Sequence, residues 1–137
     1  MTRQEVYRDM EETIGLVPSF FKIIPDATLE QDWQAFKNIQ LAEGLVPNKY
    51  KELVGLGIAA VTKCRYCTLF HTEVAKMCGA TDDEIHEVLR YAGNTALWSA
   101  WVNGNQVDYD EFKDEVRRVG EFLMAKAEKE EVGKVAI

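Results

Sequence analysis

The chain is short of cysteine, proline and basic charge and has no long apolar run, and each shortage excludes a class of protein. Three cysteines in 137 residues cannot frame a disulfide-scaffolded secreted domain. No such frame is needed, because a chain of this length buries roughly two thirds of its unfolded surface on its own. Three prolines and nine glycines are too few for a collagen-like or low-complexity chain. Lys and Arg number 16 against 23 Asp and Glu, a formal net charge of −7. Nucleic acid is therefore not an expected partner, since phosphate binding is driven by clustered Lys and Arg. No run of 18 apolar residues occurs, and Met1-Thr2-Arg3-Gln4-Glu5 lacks the apolar core of a signal peptide. The expectation is a cytoplasmic protein with no membrane partner.

What is present is a globular composition, 47% hydrophobic and 28% charged, with helical rather than strand-like periodicity throughout. A first helix fits Arg3 to Thr13, stopped by Gly15. Leu16 to Pro25 reads as a Pro-bounded apolar connector carrying Phe20 and Phe21. A second helix is expected over Asp26 to Glu43, with Asp26 as N-cap, Gly44 as stop, and Leu29, Trp33, Phe36 and Gln40 or Leu41 inward.

The third helix, from Pro47-Asn48, carries Leu53, Val54, Leu56, Ile58, Ala60 and Val61 and is apolar on nearly all sides, so a central position is expected. The fourth runs from Cys64 to Cys78 and is closed by Gly79. Thr81 and Glu84 form a capping-box pattern that opens a fifth helix to about Val102. A last helix from Asp110 to Lys126 turns Phe112, Val116, Val119, Leu123 and Ala127 to one face, and Glu128 to Ile137 reads as a loose charged tail. The sum is an all-α fold of about six helices in a single domain over residues 1–137, with its core at about 16–104.

The string that points to chemistry is Cys64-Arg65-Tyr66-Cys67-Thr68-Leu69-Phe70-His71. At about 100° per residue, positions 64, 67 and 71 share one stripe of a helix. Cys64 and Cys67 are close enough at a helix start to form a disulfide, and His71 lies one turn beyond Cys67. A thiolate is the nucleophile in thiol chemistry, and an imidazolium or a helix N-terminus favours it. Cys64 is nearer the N-terminus and Cys67 nearer His71, so position alone leaves their roles open. Two other readings fit the same residues. Positions 64, 67, 71, 74 and 78 also make a seam on which cysteines serve as small buried hydrophobes. A structural zinc would need a fourth ligand, for which Glu52 and His86 are the available recruits. No metal or cofactor is expected.

Glu52, eleven intervening residues, and Cys64-x-x-Cys67-x-x-x-His71 together resemble the AhpD-like (alkylhydroperoxidase D) branch of the carboxymuconolactone decarboxylase family. The resemblance extends from Leu16 to Gly104 and takes in Val17-Pro18, the Pro47-initiated helix and Gly79-Ala80-Thr81. It implies an AhpD-like helical bundle that assembles as a homo-oligomer, a trimer or hexamer. It also implies that Cys67 attacks, that Cys64 closes the disulfide or supplies a proton, and that Glu52 and His71 relay protons. The implied activity is that of a thiol-disulfide oxidoreductase, acting on a small disulfide or peroxide and reset by an external thiol or dithiol donor. The alternatives within reach are a decarboxylase-like carbon-acid enzyme, whose members do not rely on a Cys-x-x-Cys pair, and a non-catalytic redox-sensing or structural oligomer.

One position departs from the family pattern. Tyr66 stands where the best-studied type of member has a histidine linking the glutamate to the thiols. A phenol donates a hydrogen bond but is not a base at neutral pH, which tilts the expectation from a dedicated peroxidase towards disulfide reduction. Tyr66 is read equally as a packing residue and as a member of the proton relay. Cys78, eleven residues beyond Cys67, is about 16 Å away along a helix and is read as core filler, His86 as a surface residue. Trp98 and Trp101 are read as core, interface or pocket residues.

Overall fold

A computed structural model describes residues 1–135, and among these the chain forms seven α-helices and no strand. No helix among the described residues is long and apolar enough to cross a membrane. The all-α expectation holds, with differences of detail that matter near the site.

Helix α1 (Arg3–Ile14) opens on a capping box in which Thr2 accepts from the Glu5 amide and Glu5 accepts from the Thr2 amide, and it ends on Gly15 at φ +82°. That left-handed conformation favours glycine. The apolar connector contains a short helix, α2 (Ser19–Lys22), which lays Phe21 into the core. Helix α3 (Asp26–Phe36) is preceded by Pro25, so Asp26 is its first residue rather than its cap and pairs instead with Arg3. The expected run to Glu43 is also cut short. At Lys37 the backbone widens into a π-turn (Lys37–Leu41), closed by the Ala42 amide donating to the Lys37 carbonyl at 2.9 Å.

Helix α4 (Asn48–Val61) does not bury all its sides. Glu52, Leu53, Leu56 and Ala59 are buried, whereas Val54, Ile58 and Val61 are exposed along the opposite face. Helix α5 (Arg65–Met77) is followed by Gly79 at φ +88°. Helix α6 (Asp82–Gly104) opens with the expected box, Thr81 accepting from the Glu84 amide at 3.1 Å and Glu84 accepting from the Thr81 amide at 2.8 Å. Helix α7 (Tyr109–Val135) continues well past Lys126, so the tail expected to be loose is helical as far as Val135. Ala136 and Ile137, the end of that tail, lie outside the described residues.

The chain packs as two units, divided after Arg90. In the first, two apolar clusters form. Val6, Met10, Phe21, Leu29 and Trp33 unite α1, α2 and α3, and Leu53, Leu56, Ala75, Ala80 and Ile85 unite α4, α5 and the start of α6. Phe36 of the first cluster meets Phe70 of α5 edge-on at 6.2 Å. Asp9 ties α1 to α3 through Lys37 and the Trp33 indole, which together hold its carboxyl below the ordinary value. In the second unit, from Tyr91 onward, Trp98, Trp101, Phe112, Val116, Val119 and Leu123 are exposed rather than buried.

Candidate active site

The cysteine pair sits at the join of α4 and α5. Thr62 caps α4, Lys63 turns the chain at φ +58°, and the Cys64 amide donates back to the Ala59 carbonyl at 3.0 Å. Cys64 is extended (φ −85°, ψ 96°) and is the N-cap of α5, its Sγ accepting from the Cys67 amide at 3.2 Å. Cys64 therefore lies just outside the helical stripe on which the sequence placed it, and Cys67 and His71 alone share that stripe as helical residues. The pair is joined as a disulfide with Cα atoms 5.4 Å apart. Cys64 is half-buried, Cys67 exposed. When reduced, both sulfurs lie in the first turn of α5, where unpaired amides and the helix dipole favour a thiolate.

One turn further along α5, His71 points at α4. Its Nδ1 is hydrogen-bonded to Glu52 Oε2 at 2.7 Å, the imidazole 17% exposed and the carboxylate 1%. A carboxylate so fully removed from water needs partners on both oxygens, since an unpaired buried charge is costly. The second partner is Gln40, whose Nε2 donates to Glu52 Oε1 at 2.6 Å. Gln40 comes from the π-turn. Two more links from α4 hold that turn: Asn48 donates to the Leu41 carbonyl at 3.2 Å and Lys51 to the Ala42 carbonyl at 2.6 Å. Residues 48, 51 and 52 lie at helical spacings of three and four, so one face of α4 grips the whole turn.

The imidazole is also shaped from below. A Cβ added at Gly55 would lie 2.5 Å from His71 Cε1 and 2.6 Å from Nδ1, closer than any real side chain sits. The ring therefore rests directly on the α4 backbone, one turn from Glu52. Phe70 lies edge-on to it at 5.3 Å.

Of the residues singled out from sequence, Cys64, Cys67, His71 and Glu52 come together on α4 and α5. Tyr66 does not join them. It is 72% exposed, beneath the Arg65 guanidinium at 5.0 Å, and its hydroxyl accepts from Arg65 at 3.2 Å. Its expected packing role is absent within the chain. Cys78 is only partly buried at the C-cap of α5 and is a free thiol. His86 is exposed on α6. Among the described residues no three His, Cys, Asp or Glu side chains converge as a metal-ligand set. Gln40 and Gly55 were not legible as site residues. Gly55 carried one signal, a glycine in the interior of an otherwise strong helix, which costs about 1 kcal/mol unless something needs the space.

The chain is similar to known proteins in sequence and in fold. The sequence model described as the carboxymuconolactone decarboxylase family matches residues 27–107. A protein of Paracoccus denitrificans described as uncharacterized protein 4 in the cox locus is 26% identical over 80 residues, which is 58% of this chain and 72% of that one. The crystal structure of the alkylhydroperoxidase AhpD core from Rhodospirillum rubrum superposes with a TM-score of 0.69 at 26% identity, covering 79% of this chain and 82% of that one.

Proposed function

Because the chain belongs to the carboxymuconolactone decarboxylase family, with an AhpD-like fold, we propose that it is a thiol-disulfide oxidoreductase working through Cys67, Cys64, His71 and Glu52. The observation that carries this reading is a Cys64–Cys67 disulfide one helical turn from a histidine anchored to a buried carboxylate. Cys67, the exposed member, attacks one sulfur of a small disulfide. A mixed disulfide forms, and the first leaving thiolate takes a proton from His71. Cys64, deprotonated through the same histidine, then attacks Cys67 Sγ, expels the second thiolate and closes the Cys64–Cys67 bond. Two electrons have passed to the substrate, and an external thiol or dithiol donor returns them.

The likeness to an alkylhydroperoxidase core makes a peroxide the second substrate class. There Cys67 takes one oxygen to become a sulfenic acid and releases an alcohol, and Cys64 displaces water to give the same disulfide. With Tyr66 held away from Glu52 and His71, disulfide reduction leads. The exposed row Val54, Ile58 and Val61 on α4 supports assembly as a homo-oligomer, a trimer or hexamer, since a solvent-facing row of large apolar residues is the mark of a partner surface. The test is turnover of a panel of disulfides and peroxides with several thiol donors. Cys67→Ser should reduce every activity to the uncatalysed background; unchanged turnover would refute the reading.

A further inference from the structure

We propose that Gln40 is a positioning residue that sets the proton-carrying atom of the site. By donating to Glu52 Oε1 it turns Oε2 towards His71 Nδ1, so that His71 Nε2 is the atom free to exchange protons with the thiols. This rests on the function proposed above and names a residue that neither the cysteine motif nor its spacing contains.

The geometry leaves little freedom. Glu52 is 1% exposed, and among the described residues its two oxygens have one partner each, Gln40 Nε2 at 2.6 Å and His71 Nδ1 at 2.7 Å. A carboxylate only accepts, so the imidazole proton facing Glu52 Oε2 is on Nδ1 and Nε2 keeps its lone pair; Gln40, by holding Oε1, keeps Oε2 on that proton. The imidazole fills the space that a side chain at position 55 would take, so it lies against α4 only because Gly55 has none. Gln40 reaches Glu52 from a π-turn, a rare local widening often retained at functional sites. That turn is fastened independently to α4 by Asn48 and Lys51, so its fold does not depend on the Gln40–Glu52 bond.

That independence makes the proposal testable. Gln40→Met keeps the length and removes the donor. Lys51→Met removes a different link of the same turn and touches neither Glu52 nor His71. In the full chain, Gln40→Met should lower kcat for disulfide reduction about tenfold, the size of losing one hydrogen bond to a charged group, with KM little changed. Lys51→Met should leave both constants as they are. In ¹⁵N-histidine NMR at alkaline pH, where imidazole is neutral, His71 should show the Nδ1-protonated tautomer in the unmodified protein and lose that preference in Gln40→Met. Exposed His86 serves as the internal reference.

An unchanged tautomer or an unchanged kcat in Gln40→Met would overturn the proposal, as would an equal loss in Lys51→Met. The two levels separate cleanly. If Cys67→Ser and Glu52→Gln leave turnover intact, the proposed function falls; if the first abolishes it and the second sharply lowers it while Gln40→Met does nothing, only the role of Gln40 falls. The tautomer is read without turnover, so it decides the role of Gln40 in either case.

Discussion

The two ends of the site are built in opposite ways. At the proton end, Glu52 is buried and bonded on both oxygens, to His71 and to Gln40 of the π-turn, and the His71 ring lies against α4 at Gly55. At the thiol end, Cys67 is exposed and flanked by Tyr66 and Leu69, both more than half in solvent. Under the proposed thiol-disulfide chemistry the contrast is a division of labour. The group that must hold one orientation is enclosed by the chain itself, and the group that must meet a substrate is left open for it or for a second copy of the chain. Packing confers rigidity where proton transfer needs a fixed distance, and exposure confers access where the nucleophile needs it.

The contrast can be broken from the buried side first. Glu52→Gln keeps the shape and removes the charge, and kcat should fall by about a hundredfold, the usual scale of a lost general acid-base partner. The check is steady-state turnover beside a urea melt, to separate activity from stability. Gly55→Ala comes next. The new Cβ would strike the imidazole, so the ring must shift, and a misplaced relay should lower turnover about tenfold. Stability should change less than an ordinary overpacking of about 1–3 kcal/mol, because alanine also adds up to about 1 kcal/mol of helix propensity. Urea midpoints measure that balance.

On the open side the effects should be smaller. Ile58→Lys on the exposed face of α4 should shift the elution volume of the native protein towards the monomer while single-chain helicity, read by circular dichroism, is kept. Tyr66→Phe should change kcat least. Its hydroxyl meets only a solvent-exposed arginine, a bond worth less than about 1 kcal/mol, or within about fivefold in rate.

How much of this could be read from sequence follows the same divide. The helix caps were legible because they are local: Gly15, Gly79 and the Thr81/Glu84 box sit in the chain as they sit in the fold. The Thr2/Glu5 box follows the same local pattern. Cys67 and His71 were legible as neighbours because helical spacing is periodic, and Glu52 because of the family resemblance. Burial of Glu52 against Gln40 was not, since it depends on a π-turn that breaks the 3.6-residue period between Phe36 and Ala42. The open face of α4, with Val54, Ile58 and Val61 exposed, was not legible for a related reason: apolar periodicity says which residues avoid water, and not whether the covering comes from the same chain.

In the proposed chemistry Cys67 attacks and Cys64 resolves. Mixing the reduced Cys64→Ser protein with a small aromatic disulfide, then mapping the adduct by peptide mass, tests it most directly. The expected product is one mixed disulfide, on Cys67, stable until an outside thiol releases it. An adduct on Cys78 alone, or none at all, would contradict it.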